Sequence, residues 1–193
     1  MENSFYALLF RQRHIRRWSL MRNSSEETLS QHSMQVAVLS HALALIGNRY
    51  FGKDHDPDRA AALALFHDVP EVITGDLPTP VKYYSDAVRE GYAAIERDAV
   101  ERLLSKLPEE LRPDYEPLLT PSDADRELMR LVKAADKLDA YIKCVEERGA
   151  GNSEFLSAEK TIRAKLEASD CEELRYFIDN LLPAFDATLD EIS

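Results

Sequence analysis

Apolar side chains recur every three or four residues along most of the chain, as they do on the buried face of an α-helix. The clearest run consists of Val36, Leu39, Leu43 and Ile46. Thr28 and Gln31 precede it at the spacing of a capping box, in which each side chain bonds the other residue's backbone N–H. A helix is therefore predicted from Thr28 to Gly47.

The same spacing predicts further helices over residues 4–14, 58–68, 85–107, 122–148, 152–168 and 171–192. Asp56 and Pro57 give the helix at 58–68 an N-cap followed by proline at the first helical position. Its residues 60–66 are apolar almost all round, which predicts a helix buried in the middle of the protein. Gly149 should follow the end of the helix at 122–148, and Pro183 should break or kink the last one.

Between the helices at 58–68 and 85–107, Pro70–Ile73 should form a short helical turn. Residues 75–84 should form a loop that two prolines hold in place. We find neither an internal repeat nor the alternating pattern of a strand. The sequence therefore predicts an all-α fold, a helical bundle around one core, with residues 1–193 forming a single domain. The length of 193 residues, with 45% hydrophobic and 31% charged residues, suits one ordinary globular domain.

The formal net charge of −11 argues against nucleic acid as a partner, because binding to the phosphate backbone needs a basic face. The basic residues are unevenly distributed, and the first part of the chain holds Arg11, Arg13, Arg16, Arg17 and Arg22. One basic island on an acidic protein suits a small anionic ligand better than a polymer. The alternative is a solvated helix face.

The two cysteines, Cys144 and Cys171, lie on different predicted helices and lack the spacing of a metal or redox motif. They are typical of buried or half-exposed thiols in a reduced, cytoplasmic protein. The apolar run at the N-terminus is too short for a secretory signal, and no apolar stretch is long enough to cross a bilayer. No membrane partner is therefore expected.

Four side chains that can bind a metal occur in the order His32, His67-Asp68 and Asp136. An adjacent His and Asp can present a nitrogen and an oxygen to one divalent cation, and Asp136 lies on an apolar helix, where a carboxylate needs a partner. Asp139 lies one turn further on, and spacing alone does not decide between it and Asp136. His41 falls half a rotation from His32 on the same helix, so it is interpreted as structural.

The remaining histidines are not expected to bind metal. His55 lies in a polar stretch and is predicted at the surface, while His14 lies among arginines. Five histidines in all, with three of them excluded, argue against a site for two metal ions.

Several segments around these residues resemble the HD-domain 5'-deoxynucleotidases of bacteria, which are metal-dependent phosphohydrolases. The matching segments are Arg17-Trp18, residues 30–36, residues 67–72, residues 74–83 and residues 188–192. The resemblance covers nearly the whole chain. It implies an HD-domain helical bundle that hydrolyses deoxyribonucleoside 5'-monophosphates to nucleoside and phosphate and selects against ribonucleotides.

The resemblance also implies roles for individual residues. His32, His67, Asp68 and Asp136 would bind one divalent ion. Glu71 would position or deprotonate the attacking water, and Arg17 would bind the phosphate. Trp18 would pack against the sugar and exclude a 2'-hydroxyl, while Asp76 would accept a hydrogen bond from the sugar.

The mixed nitrogen and oxygen ligand set favours Co²⁺ or Mn²⁺, with Zn²⁺, Fe²⁺, Ni²⁺ and Mg²⁺ as alternatives. The resemblance further implies a homodimer, to which the aromatic residues Tyr176, Phe177 and Phe185 could contribute a patch if they do not fill the core. Residues 119–124 do not reproduce the pattern near the base, so no base-contacting residue is assigned.

Other interpretations of these residues stay open at this point. Glu71 could be an exposed acid in a first helical turn, Trp18 an anchor of the core and Lys82 a solvated lysine in a loop. A phosphodiesterase or nucleoside triphosphate hydrolase of the same superfamily is the alternative enzyme. A helical interaction module with a vestigial metal site is the alternative without catalysis.

Overall fold

The computed structural model describes residues 3–82 and 84–193, so Tyr83, at the end of the 74–83 motif, lies outside the described residues. The described chain is helical, with no β-structure in it beyond one isolated bridge between Arg16 and Thr28, which confirms the all-α prediction. The helices are α1 (Phe5–Leu9), α2 (Leu29–Tyr50), α3 (Pro57–Phe66), α4 (Glu71–Thr74), α5 (Thr79–Lys82), α6 (Asp86–Leu104), α7 (Arg112–Leu119), α8 (Arg126–Gly149), α9 (Leu156–Glu167), α10 (Glu172–Asn180) and α11 (Leu189–Ile192). Short 3₁₀ segments cover Phe10–His14, Glu109–Leu111, Asp123–Asp125, Ser153–Phe155 and Leu182–Asp186.

The helix starts that were predicted from capping residues are confirmed. The Gln31 N–H donates to the Thr28 hydroxyl, and the Thr28 N–H donates to the Gln31 side chain at 2.8 Å, so the capping box forms. Asp56 caps α3 by accepting from the Arg59 N–H at 2.9 Å. These caps satisfy backbone donors that the first turn of a helix leaves free, which is why they fix the boundary.

The predicted boundaries were wrong in several places. Residues 79–82, expected in a loop, form the helical turn α5, and α7 was not predicted at all. Gly149 was predicted to follow the end of the helix, but it is the last residue of α8. The left-handed backbone that favours glycine after a helix occurs at Gly151, whose φ is 80°. The predicted C-terminal helix breaks after α10, as expected from Pro183, which lies in a 3₁₀ segment.

Helix α2 lies at the centre of the fold and packs against α3 and α8, while α8 also packs against α9. These helices form the main core, which contains buried residues from α2, such as Leu43, and from α8, such as Leu138. A second apolar cluster joins Phe5, Val69, Leu103 and Leu107. Helix α3 is less enclosed than predicted, because Leu65 is 44% exposed. Both cysteines are buried and free, and no helix of the described chain is long and apolar enough to cross a membrane.

The prediction of His55 at the surface was wrong. Its side chain is only 9% exposed, and its Nε2 lies 3.3 Å from the buried carboxylate of Glu173. Arg130 pairs with the same carboxylate at 3.1 Å. A Cβ at Gly47 would lie 2.8 Å from His55 Cδ2, so a glycine lets α2 pass this cluster and continue beyond the predicted end to Tyr50.

Candidate active site

The His67-Asp68 pair lies at a turn between two helices, at the junction of the two apolar clusters. Helix α3 was predicted to reach Asp68 but ends at Phe66, and α4 begins at Glu71. Pro70 explains the break, since proline disfavours helical backbone in the residue before it and cannot donate a hydrogen bond. Buried residues flank the pair, with Ala64 in the main core and Val69 in the second cluster. The turn is therefore held from both sides.

Hydrogen bonds at the rear of each imidazole set the orientation of both histidines. His32 is fully buried, and its Nδ1 lies 2.6 Å from the Asp139 carboxylate. His67 Nδ1 lies 2.6 Å from the Ala64 carbonyl oxygen. Because both partners can only accept, both Nδ1 atoms carry the hydrogen. In a neutral imidazole this leaves a lone pair on each Nε2.

Both Nε2 atoms face carboxylates. Asp68 Oδ2 lies 3.1 Å from His67 Nε2 and 3.4 Å from His32 Nε2, and Asp136 Oδ1 lies 3.3 Å from His32 Nε2. Neither Nε2 has a hydrogen-bond partner of acceptable geometry within the described residues. A nitrogen lone pair and a carboxylate repel each other unless a positive charge lies between them. Although burial lowers the pKa of His32, Asp136, Asp139 and Asp68 raise it well above its usual range.

This arrangement fits a divalent metal ion. His32, His67 and Asp68 each offer a ligand atom, and these atoms lie within 4.8 Å of one another. Asp136 adds a second carboxylate beside His32. Two imidazole nitrogens and two carboxylates suit catalytic first-row metals, whereas structural zinc sites commonly use thiolates.

The structure separates the two aspartates that spacing left undecided. Asp136 lies on the Nε2 side of His32, towards Asp68, whereas Asp139 lies on the Nδ1 side and is 3% exposed. An acid that accepts from the rear nitrogen of a metal-binding histidine fixes its tautomer and makes it a stronger ligand. The geometry therefore suits Asp139 to that supporting task, while Asp136 could serve as a ligand.

Glu71 is not the exposed acid of the alternative interpretation, since it is only 8% exposed. Its Oε2 has no hydrogen-bond partner among the described residues. Burial, followed by the negative charges of Asp68 and Asp76, raises the pKa of Glu71 to about 9. A buried carboxyl with a raised pKa, next to side chains that could bind a metal, is typical of a group that transfers protons in catalysis.

Arg17 is the member of the basic island that turns into this site. Its side chain is 12% exposed, and its Nη1 lies 3.9 Å from Asp68 Oδ2. Arg16 and Arg22 instead make ion pairs at the surface, with Glu26 and Glu154. The island therefore brings one buried guanidinium, rather than a broad basic face, to the cluster.

The other residues assigned through the resemblance have different surroundings. Trp18 is half-buried, and its ring centroid lies 5.2 Å from that of Phe155, as a core anchor would. Asp76 is half-buried, and burial raises its pKa although Arg17 opposes this. Lys82 is not a freely solvated lysine, because its Nζ lies 2.9 Å from Glu96 and 4.7 Å from the centre of the Tyr92 ring.

Sequence reasoning missed two buried acids near the site. Glu27, which is 7% exposed, contacts both Arg17 and Trp18. Glu147 is fully buried and accepts hydrogen bonds from the Ser24 N–H, Lys143 and Asn152, so it ties the segment after Trp18 to α8. No local pattern marks either residue, because the partners of Glu27 lie outside a single helix repeat, in the segment before α2, and Ser24 lies 123 residues from Glu147.

Comparison with known proteins identifies the family. The model of the YfbR-like 5'-deoxynucleotidases matches residues 4–185. The chain belongs to this family. It is 48% identical to a 5'-deoxynucleotidase of Vibrio cholerae over 192 residues, covering 100% of this chain and 99% of that protein. The 5'-deoxynucleotidase YfbR of Escherichia coli is also 48% identical, with 100% and 96% covered.

Solved structures show the same fold. A Listeria innocua HD-domain phosphohydrolase superposes with a TM-score of 0.81 at 22% identity, covering 96% of this chain and 90% of that one. The cyanophage S-2L HD phosphohydrolase DatZ, bound to dA and one catalytic Zn²⁺ ion, gives 0.64 at 20% identity, covering 92% and 95%. The expected HD-domain bundle and the classification as a hydrolase of the 5'-deoxynucleotidase family are thus confirmed.

Proposed function

We propose that this site hydrolyses 2'-deoxyribonucleoside 5'-monophosphates with one divalent metal ion and selects against ribonucleotides. The observation that carries the proposal is the pair of largely buried imidazoles whose Nε2 atoms face Asp68 and Asp136. The largely buried side chains of Arg17 and Glu71 lie next to them. Related proteins support the substrate class, since the relatives from Vibrio cholerae and Escherichia coli are 5'-deoxynucleotidases and DatZ binds dA.

We further propose that His32, His67, Asp68 and Asp136 hold the ion. Co²⁺ or Mn²⁺ is the proposed metal on the grounds of the ligand set, and the Zn²⁺ of DatZ makes Zn²⁺ the first alternative to test. When bound, the ion offsets the charge of the phosphate and lowers the pKa of a coordinated water.

The protein's own side chains do the remaining work. The Arg17 guanidinium donates hydrogen bonds to the phosphate oxygens, for which its planar fork of donors is suited. With the positive charge of the ion nearby, Glu71 would be ionised and would accept a proton from the attacking water, whose oxygen forms a bond to phosphorus while the bond to the 5'-oxygen breaks. The same proton would then pass to the 5'-oxygen, so that the nucleoside leaves as an alcohol. Trp18 packs against the sugar and excludes a 2'-hydroxyl. Asp76 accepts a hydrogen bond from the 3'-hydroxyl.

The surroundings of Arg17 favour a monophosphate over a triphosphate. Arg17 is the buried cation at the cluster, and Lys82 is already paired with Glu96. A triphosphate would bring additional negative charge close to Asp68, Asp76 and Asp136. A phosphodiester carries a single negative charge, which is less than the charge of a monophosphate dianion, so this argument does not disfavour it and the substrate test decides.

Substrate selection is the direct test of this proposal. Metal-stripped protein supplied with Co²⁺, Mn²⁺ or Zn²⁺ is expected to release phosphate from dAMP, dGMP, dCMP, dTMP and dUMP much faster than from the ribonucleotides. Inorganic phosphate is measured for the monophosphates. Bis-p-nitrophenyl phosphate and dATP are supplied in parallel as alternative substrates, and their turnover is measured as released p-nitrophenol and released deoxyadenosine. Preferential turnover of either competitor would replace the proposal with the phosphodiesterase or triphosphate alternative, and metal binding without any turnover would favour an interaction module.

We also propose a homodimer, through a surface other than the C-terminal aromatic residues. Phe177 is in the core and Tyr176 stacks on Tyr50. Phe185 is 41% exposed, but its ring centroid lies 6.3 Å from that of Phe177, so the group packs mainly within the protein. Met34, Val38 and Leu45 instead lie along one face of α2 and are 47–63% exposed. In a dimer with two-fold symmetry, the same stripe of each subunit would pack against that of the other and be buried. Sedimentation is expected to give a dimer that Val38→Glu dissociates, and a monomeric wild-type protein would refute the proposal.

A further inference from the structure

Glu27 is a buried acid to which the proposed function assigns no role. It immediately precedes the N-cap of α2, next to the bridge between Arg16 and Thr28. Its backbone carbonyl accepts from the Arg17 N–H at 2.9 Å, which joins the two segments. The neighbouring Glu26, by contrast, is 61% exposed and pairs with Arg16 at the surface.

The carboxylate of Glu27 contacts both of the adjacent residues that are proposed to meet the substrate. Its Oε2 accepts a hydrogen bond from Trp18 Nε1 at 2.9 Å and lies 3.5 Å from Arg17 Nε. That Nε has no hydrogen-bond partner within the described part of the chain, so its interaction with Glu27 is ionic. One oxygen atom thus couples the proposed sugar-side and phosphate-side residues.

Trp18 needs such a contact because its backbone is unusual. Its φ of 55° lies in the left-handed region, which bulky residues rarely occupy unless their surroundings hold them there. Its carbonyl oxygen accepts from the Met21 N–H at 2.9 Å and from Asn23 Nδ2 at 3.2 Å. These bonds hold the backbone, whereas the Glu27 bond and the Phe155 ring fix the indole.

We propose that Glu27 is the positioning residue that sets sugar discrimination, by holding the Trp18 indole in place while it aligns Arg17 with the phosphate. The inference rests on the proposed function of Trp18 and Arg17. It requires that the two tasks of Glu27 be separable, because the tryptophan bond needs only an acceptor oxygen while the arginine contact needs a negative charge.

Two substitutions separate these tasks. Glu27→Gln keeps an acceptor for Trp18 but removes the charge, so KM for dAMP should rise about tenfold while the ratio of kcat/KM for dAMP over AMP is retained. Glu27→Ala removes both contacts, so that ratio should also fall, by about tenfold. Glu26→Ala is the matched control and should keep the wild-type KM and ratio.

Intrinsic fluorescence gives a second readout that does not depend on turnover. Trp18 is the only tryptophan in the sequence, so emission excited at wavelengths that tyrosine does not absorb reports on this side chain alone. Glu27→Ala should shift the emission to longer wavelength as the indole loosens into water, whereas Glu27→Gln and Glu26→Ala should keep the wild-type spectrum.

The outcomes distinguish this inference from the proposed function. Wild-type ratio and emission in a folded Glu27→Ala protein, or a wild-type KM in Glu27→Gln, would overturn the role of Glu27 and leave the proposed function standing. If Glu27→Ala does not fold, Glu27→Gln decides through KM. If the wild-type protein itself lacks turnover or sugar preference, the proposed function fails, and unchanged emission in Glu27→Ala then also overturns the placement of Trp18 by Glu27.

Discussion

Replacing Glu71 with Gln is expected to lower kcat on dAMP by about 10²- to 10⁴-fold, the range for loss of a positioned acid–base group. Glutamine has nearly the same shape, so the packing around this 8%-exposed side chain should survive. It cannot accept a proton from water, however. Metal content should stay at the wild-type level, because Glu71 is not among the proposed ligands. Phosphate release and metal analysis of the same preparation provide the two measurements.

The stability of this variant gives an independent check. Burial and two neighbouring acids raise the pKa of Glu71 to about 9 in the metal-free protein, above its usual value in an unfolded chain. An acid with a raised pKa in the folded state makes folding less favourable as the pH rises from about 4.3 to about 9. Metal-free Glu71→Gln should therefore be at least as stable as the wild type at pH 7 in urea unfolding.

Glu90→Gln on α6 is the matched control, since Glu90 is an exposed glutamate. It should leave kcat and stability unchanged. A Glu71→Gln protein that keeps wild-type kcat would show that Glu71 does not transfer the proton. A variant that instead loses its metal would place Glu71 among the ligands.

The sequence predicted helix starts better than the irregular segments between helices. Capping side chains act within three residues, so Thr28 and Asp56 could be assigned from sequence alone. Helix α7 was missed because it contains Pro113 and Pro117, and prolines usually end helices. Pro113 lies in the first turn, where it is tolerated, and in so short a helix Pro117 removes a single backbone bond.

The proposed metal residues were predicted from the motif together with the family resemblance, whereas the supporting groups behind them were not predicted. His32 and Asp139 are 107 residues apart in sequence, and the 2.6 Å contact between them exists only because α2 packs on α8. In the sequence, Glu27 directly before a helix cap looks like a solvated acid of a loop. Only the fold shows that its carboxylate is enclosed by Arg17 and Trp18.

The second large effect is expected from Asp136→Asn, compared with the same substitution at Asp139 one helical turn further on. Asp136 faces the Nε2 side of His32, where the metal is proposed to lie, at 3.3 Å. Loss of this charged ligand should leave the purified protein with little metal and without measurable turnover, even with added Co²⁺ or Mn²⁺. Metal analysis and a metal titration of activity test this.

Asp139→Asn should behave differently because its amide oxygen can still accept from His32 Nδ1 while its charge is gone. Loss of a supporting group behind a metal-binding histidine lowers metal affinity by about 10- to 100-fold. Activity should therefore return to near the wild-type kcat when metal is added in excess. Since the two variants share the helix, the substitution and the loss of one charge, a general effect on folding would affect both alike. Recovery of Asp136→Asn with added metal, together with loss of Asp139→Asn at every metal concentration, would exchange the two roles and place the ion on the Nδ1 side of His32.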